Sequence, residues 1–208
     1  MRAAGTLAVV LLAAWVATFA AGDRVAEGVR LQLTSGQALP EAARGPLMRE
    51  VERIWNREQL PLVWQPPEAA LDGRVPHLRV LVLSTPSLDG VEAWPVGELV
   101  RDRVSGVTVA VVSVAAARRV LQASGVTGEP EVLATRRLGV VLGRAVAHEI
   151  GHFVLERKGH AEYGLMRARI DARDFADLRD GAFRLDRDSR TWLRAAPVLR
   201  PRVATATH

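Results

Sequence analysis

No cysteine occurs in the 208 residues. That excludes a disulfide scaffold, thiol catalysis and thiolate-ligated zinc together. Aromatic residues make up only 5% of the chain, so its core must be aliphatic, built from Val, Leu and Ala. Lysine is nearly missing as well: Lys158 is the only one, and the basicity behind the formal charge of +5 is arginine. The arginines occur along the whole length and are interleaved with acids. The densest stretch, 167–202, also holds Asp171, Asp174, Asp177, Asp180, Asp186 and Asp188. A one-sided basic stripe and a recognisable nucleic-acid module are both lacking. The charge therefore reads as a solvated, salt-bridged surface, and no nucleic-acid partner is expected. What is present is ordinary. Hydrophobic residues at 49% and charged residues at 25% exclude a disordered chain, a collagen and a multi-span membrane protein. The length suits one domain.

Arg2 is followed by an uncharged run over 3–22 that ends in mostly small residues before Asp23. A positive start, an apolar centre and a small-residue end are the layout of a secretory signal. The competing reading is an N-terminal anchor, because the run approaches the ~20 residues that span a bilayer. Residues 1–22 are therefore expected to be a signal peptide or anchor, 23–196 the folded domain and 197–208 a flexible tail. The expected location is extracytoplasmic, secreted or periplasmic, with membrane contact only through an uncleaved N-terminal segment.

Alternating residues at 29–33 predict a short strand. Leu47, Val51, Ile54 and Trp55 fall at helical spacing within 40–58, where Gly45-Pro46 is a point of interruption. Further strands are expected at 62–64, 78–83 and 107–113. Asp89-Gly90 and Pro95-Val96-Gly97 mark a turn-rich connection. A short helix is expected at 115–123. A long one begins at Pro130, carries Leu133, Leu138, Val141, Leu142, Ala145, Ile150 and Phe153, and ends near Gly159. Short helices follow around 172–179 and 187–193. The order reads as α+β rather than repeated βαβ.

The long helix carries His148-Glu149-Ile150-Gly151-His152, an H-E-x-x-H pattern. Residues i and i+4 share a helix face, with side-chain bases about 6 Å apart. Both imidazoles can then meet one tetrahedral zinc at ~2.0–2.1 Å. Glu149 lies about 100° round the helix from His148. It cannot conveniently ligate the same ion, but it can take a proton from water held there. A catalytic zinc also needs a third protein ligand and an open position. His160 follows His152 by eight residues, which is about 12 Å along a continued helix. The helix must therefore stop and the chain turn back. Gly159 is the expected left-handed residue for that stop, and Arg157 and Lys158 put positive charge at the helix end. Gly164 permits a tight turn, and Met166 can place a soft apolar side chain under the metal. Glu162 and Asp171 are carboxylate alternatives for the third ligand, while Glu156 points past the metal. Asp171 also reads as a second-layer partner or a surface charge. Tyr163 reads as a surface or packing residue, His77 and His208 as lying outside the site, and Trp55 and Trp64 as core.

These residues carry a resemblance. His148-Glu149-x-x-His152, His160 and Gly164-Leu165-Met166 resemble a metzincin-type zinc peptidase with its Met-turn. The similarity is closer to a group of small bacterial predicted zinc proteases with the signature H-E-I-G-H-x-x-L-x(4)-H-x(3)-G-x-M-R-A. Every fixed position of it is matched, including Leu155, Arg167 and Ala168. The match spans about twenty residues. It implies His148, His152 and His160 as ligands of one catalytic Zn2+, Glu149 as general base and Met166 in the Met-turn. It implies a zincin-like α+β fold: a small mixed sheet packed on a long active-site helix, then the Met-turn and short C-terminal helices. Two positions depart from the usual metzincin pattern. Leu155 stands where that pattern has Gly, and the third His comes two residues later, so the helix is expected to end later. In such peptidases an edge strand pairs with an extended substrate; 107–113 is the nearest candidate before the helix, and an ordinary buried strand is the equal alternative for it. The expected function is hydrolysis of peptide bonds in a peptide or protein substrate. The alternative is a non-catalytic, zinc-stabilised binding or regulatory domain of the envelope.

Overall fold

A computed structural model describes residues 28–70, 75–84, 96–102, 106–179, 182–196 and 199. The expected signal over 1–22, the Asp89-Gly90 turn, Pro95, the 197–208 tail apart from Leu199, and His208 lie outside the described residues.

The elements run β1 (Val29–Thr34), α1 (Glu41–Arg57), β2 (Leu62–Gln65), β3 (His77–Leu83), β4 (Gly97–Arg101), β5 (Thr108–Ser113), α2 (Val114–Ala123), α3 (Glu131–Leu155), α4 (Ala172–Ala176) and α5 (Arg187–Ala195). The fold is mixed α+β. One five-stranded sheet has the order β2-β1-β3-β5-β4. Its first four strands are mutually parallel, and β4 runs antiparallel to β5. In register, Leu31 sits beside Leu78, Val80 beside Ala110, and Val82 beside Val112. These residues form one apolar surface, covered by Leu47, Val51, Ile54 and Trp55 of α1 and by Val141, Leu142 and Ala145 of α3. The core is aliphatic, as the scarcity of aromatics requires.

Three expectations are corrected. The connection through Pro95-Val96-Gly97 becomes strand β4 at Gly97, because these residues pair with β5 from Gly97–Val112 to Arg101–Thr108. The strand at 107–113 is consequently interior, held between β3 and β4, and cannot be the edge that a substrate meets. Gly45-Pro46 does not interrupt α1, which runs through Pro46. The Pro46 ring packs where a side chain at Gly139 would stand, so tertiary contact offsets the lost helical hydrogen bond.

α3 carries the site, and its seam with α1 fixes where it lies. A Cβ at Gly143 would stand 2.7 Å from the Leu47 carbonyl oxygen, and one at Gly139 would overlap the Ala43 carbonyl. Only glycine permits the two backbones to approach this closely. Trp55, fully buried, donates its indole N–H to the Ala147 carbonyl at 3.2 Å. Between the helices Arg144 is 1% exposed and donates to Glu50 at 2.8 Å. Its guanidinium also donates to the carbonyls of Asp174 at 3.1 Å and Phe175 at 2.8 Å, and lies 4.3 Å above the Phe183 ring. One buried cation thus ties α1, α3 and the segment around α4 together. By composition α3 is apolar enough to cross a bilayer, yet its most apolar window is 83% buried within the protein, as befits a core helix.

Candidate metal centre

His148 and His152 project from one face of α3, and His160 returns to them from the loop beyond. One ring nitrogen from each lies within 4.8 Å of the others. His148 and His152 are half-buried and His160 is exposed. The ring centroids of His148 and His160 are 5.4 Å apart, and those of His152 and His160 are 4.9 Å apart.

Main-chain carbonyls aim two of the rings. The His148 Nδ1 lies 2.7 Å from the Leu165 carbonyl oxygen, and the His152 Nδ1 lies 2.7 Å from that of Arg157. A carbonyl only accepts, so both Nδ1 atoms carry the hydrogen. The two Nε2 atoms then face each other with bare lone pairs, 3.0 Å apart. Such an arrangement is repulsive unless a proton or a cation lies between. A proton there requires a doubly protonated ring, and burial opposes that, pulling His148 down to about 4 and His152 below its usual value. The donor set therefore fits a divalent cation bound through nitrogen, and these three histidines could hold a metal ion.

The loop that returns His160 departs from the sequence reading. α3 ends at Leu155, and Glu156, not Gly159, takes the left-handed conformation at φ 50° and ψ 34°. The early exit lets the Arg157 carbonyl turn back to His152 within one turn. Glu156 thus ends the helix, and it is not among the three residues that converge. The Arg157 guanidinium stacks 3.6 Å over the Trp192 ring on α5. Gly164, at φ +77°, closes the following turn, where Ala161 N–H donates to the Met166 carbonyl at 2.8 Å. Met166 is 2% exposed, and its thioether occupies the space that a Cβ on Gly151 would take. The Gly151–Met166 contact thus seats that turn against the middle of the H-E-x-x-H helix.

Glu149 is 5% exposed and lies under β4. A Cβ on Gly97 would come within 3.0 Å of its Oε1, so Gly97 leaves room for the carboxylate. The sequence reading missed this residue, although a glycine next to a strand is a signal of close approach. Burial raises the Glu149 carboxyl to about 8, helped by Glu98. No described cation pairs with it.

The cleft over the three histidines encloses about 1110 Å³. Leu99, Val120, Ala145, Phe153, Ile170 and Phe175 give it apolar lining. The remaining candidates stand apart from the centre. Asp171 caps α4, accepting from Arg173 N–H at 2.8 Å. Tyr163 is 68% exposed and bonded to Glu162. His77 begins β3, and burial with Arg79 and Arg30 lowers its pKa. Trp64 is partly buried against the core. No protein-family model, curated protein or solved structure matches the chain.

Proposed function

We propose that the chain is a zinc-dependent peptidase of zincin type, with His148, His152 and His160 as zinc ligands and Glu149 as general base. One observation carries this reading: among the described residues, three converging imidazoles and a buried carboxylate without a cationic partner share the floor of an open cleft beside an outermost strand. A nitrogen-only donor set with room for a fourth ligand favours zinc. When bound, zinc supplies Lewis-acid polarisation of a carbonyl and acidifies water. Glu149 would take the proton of the attacking water on its carboxylate and pass it to the leaving amine. The two main-chain carbonyls hold the ligand rings, and Met166 supports the turn beneath them. The reading includes an extracytoplasmic location, resting on the apolar run at 3–22.

β4 supports a peptide substrate. Ser113 N–H donates to the Val96 carbonyl and Asp102 N–H to the Val107 carbonyl. By antiparallel alternation, the main-chain groups of Gly97, Leu99 and Arg101 then face away from β5. β4 is the last of the described strands, so an extended chain can add to it there. Its polarity follows from the fold. Gly139, Gly143 and Ala147 meet Ala43, Leu47 and Trp55 in ascending order, so α3 lies parallel to α1. α1 joins the parallel neighbours β1 and β2 and runs back against them. α3 therefore runs with β4. A peptide antiparallel to β4 runs against α3, placing its leaving-group half over Ala145.

The test uses protein lacking residues 1–22, loaded with stoichiometric zinc, on a mixed peptide library read by mass spectrometry. Glu149→Gln at equal metal content should lose roughly 10²–10⁴ in turnover. Equal cleavage by both overturns Glu149 as the base. Absence of cleavage by both, with zinc held, would favour the zinc-stabilised binding domain.

A further inference from the structure

We propose that Trp192, on α5, is a positioning residue for the metal centre: it holds Arg157 so that the Arg157 main-chain carbonyl aims the His152 imidazole. Three observations meet here. His152 Nδ1 donates to that carbonyl at 2.7 Å. The Arg157 guanidinium stacks 3.6 Å from the centre of the Trp192 ring. Glu156, between helix and carbonyl, is a non-glycine residue at φ 50°, a conformation that costs on the order of 1 kcal/mol and persists only when its surroundings hold it.

Little else is available to hold it. Among the described residues, the 157–160 stretch makes no main-chain to main-chain hydrogen bond. Glu156, Arg157, Lys158, Gly159 and His160 are all exposed. Among the described residues, the stack on Trp192 links this stretch to another element, alongside the histidine contacts themselves. α5 is itself well anchored. Arg190 donates to Glu58 at 2.8 Å and 3.1 Å, Leu193 is buried, and Asp186 caps the helix through Ser189 at 2.8 Å. Trp192 therefore offers a fixed platform, and a guanidinium over an indole face is a favourable cation–π arrangement. The path runs from α5 through Trp192 and Arg157 to one imidazole. It touches neither the metal nor a substrate, and partners of ligating histidines commonly tune metal affinity.

The experiment measures zinc affinity of the full-length chain by competition with a chromophoric chelator, so it needs no turnover. Trp192→Leu should weaken zinc binding about threefold to fivefold, the ratio an exposed cation–π contact carries, and Trp192→Phe should restore most of it. Arg157→Met, which keeps the carbonyl but removes the guanidinium, should weaken binding by the same factor. The double variant should be no worse than either single one, because both remove one interaction. Thermal melting of the metal-free proteins should coincide, separating positioning from a general loss of fold. Unchanged affinity in Trp192→Leu overturns the proposal, as do additive effects in the double variant. Absence of zinc binding in the unmodified protein overturns the metal reading and this inference with it. Intact zinc binding without peptide cleavage removes only the peptidase reading.

Discussion

Two glutamates, Glu50 and Glu149, are buried to nearly the same depth, at 7% and 5% exposure, and the protein treats them oppositely. Burial pushes the Glu50 carboxyl up, but hydrogen bonds from Arg53 and Arg144 outweigh it and leave it below the usual carboxylate value. Glu149 meets the same burial with Glu98 nearby and no cationic partner among the described residues, and rises to about 8. The first is fastened into the α1–α3 seam; the second stands at the cleft beside the histidines. Depth alone says nothing of a carboxylate's role. Its partners do: a paired buried carboxylate holds helices, and an unpaired carboxyl with a raised pKa is available for proton transfer.

The largest expected effect comes from making Glu50 resemble Glu149. Arg144→Met leaves the buried Glu50 carboxylate with Arg53 alone and strips the carbonyls of Asp174 and Phe175 of their donor. Denaturant unfolding should show a loss of about 3–5 kcal/mol; a loss below 1 kcal/mol would show that Arg53 suffices. Next is the seam itself. Gly143→Ala forces a methyl against the Leu47 carbonyl, and the same measurement should show a loss of roughly 1–3 kcal/mol, whereas an ordinary helical glycine would gain stability on this change. In the opposite direction, Glu149→Gln in the metal-free protein removes the cost of keeping protonated a buried carboxyl that ionises once the chain unfolds, and should raise stability by about 1 kcal/mol at neutral pH, read as an upward shift in Tm. Stabilisation alongside the loss of turnover would separate the two carboxylates cleanly.

The smallest effect is that of pH on Glu50. Its folded pKa is depressed, so the stability it contributes is fully present above the unfolded value of about 4.3. That stability is lost as pH falls through the lower, folded value. Unfolding of the metal-free protein from pH 5 downward should show this decline, and Glu50→Gln should flatten it.

Much of this contrast was hidden in the sequence. The H-E-x-x-H pattern named His148, Glu149 and His152 because helical spacing is local, and α3 was legible from its apolar period. The end of α3 was not. Glycine is the ordinary left-handed residue, so Gly159 attracted the stop. The stop instead falls at Glu156, where His152 finds its carbonyl, and no propensity rule selects a glutamate. β4 escaped notice for a related reason: Gly-Glu-Leu-Val-Arg is a strand only by pairing with β5. The Glu50–Arg144 pair joins residues 94 positions apart, and charges alone do not reveal such partners. The order of elements was readable where periodicity set it, and the strand order was not, since it depends on which non-local pairs close.

The two imidazoles are aimed by carbonyl oxygens of the main chain at Leu165 and Arg157. Such an acceptor belongs to the path of the chain, not to a side chain, and it survives any substitution that keeps that path. Drift at position 165 would therefore leave its acceptor in place, and drift at position 157 would cost only what the stack on Trp192 adds, whereas one residue gained or lost between 152 and 157, or between 160 and 165, would displace the acceptors themselves. For this centre, loop length is the inherited quantity and letter identity is secondary. Distant relatives would be recognised by spacing before resemblance.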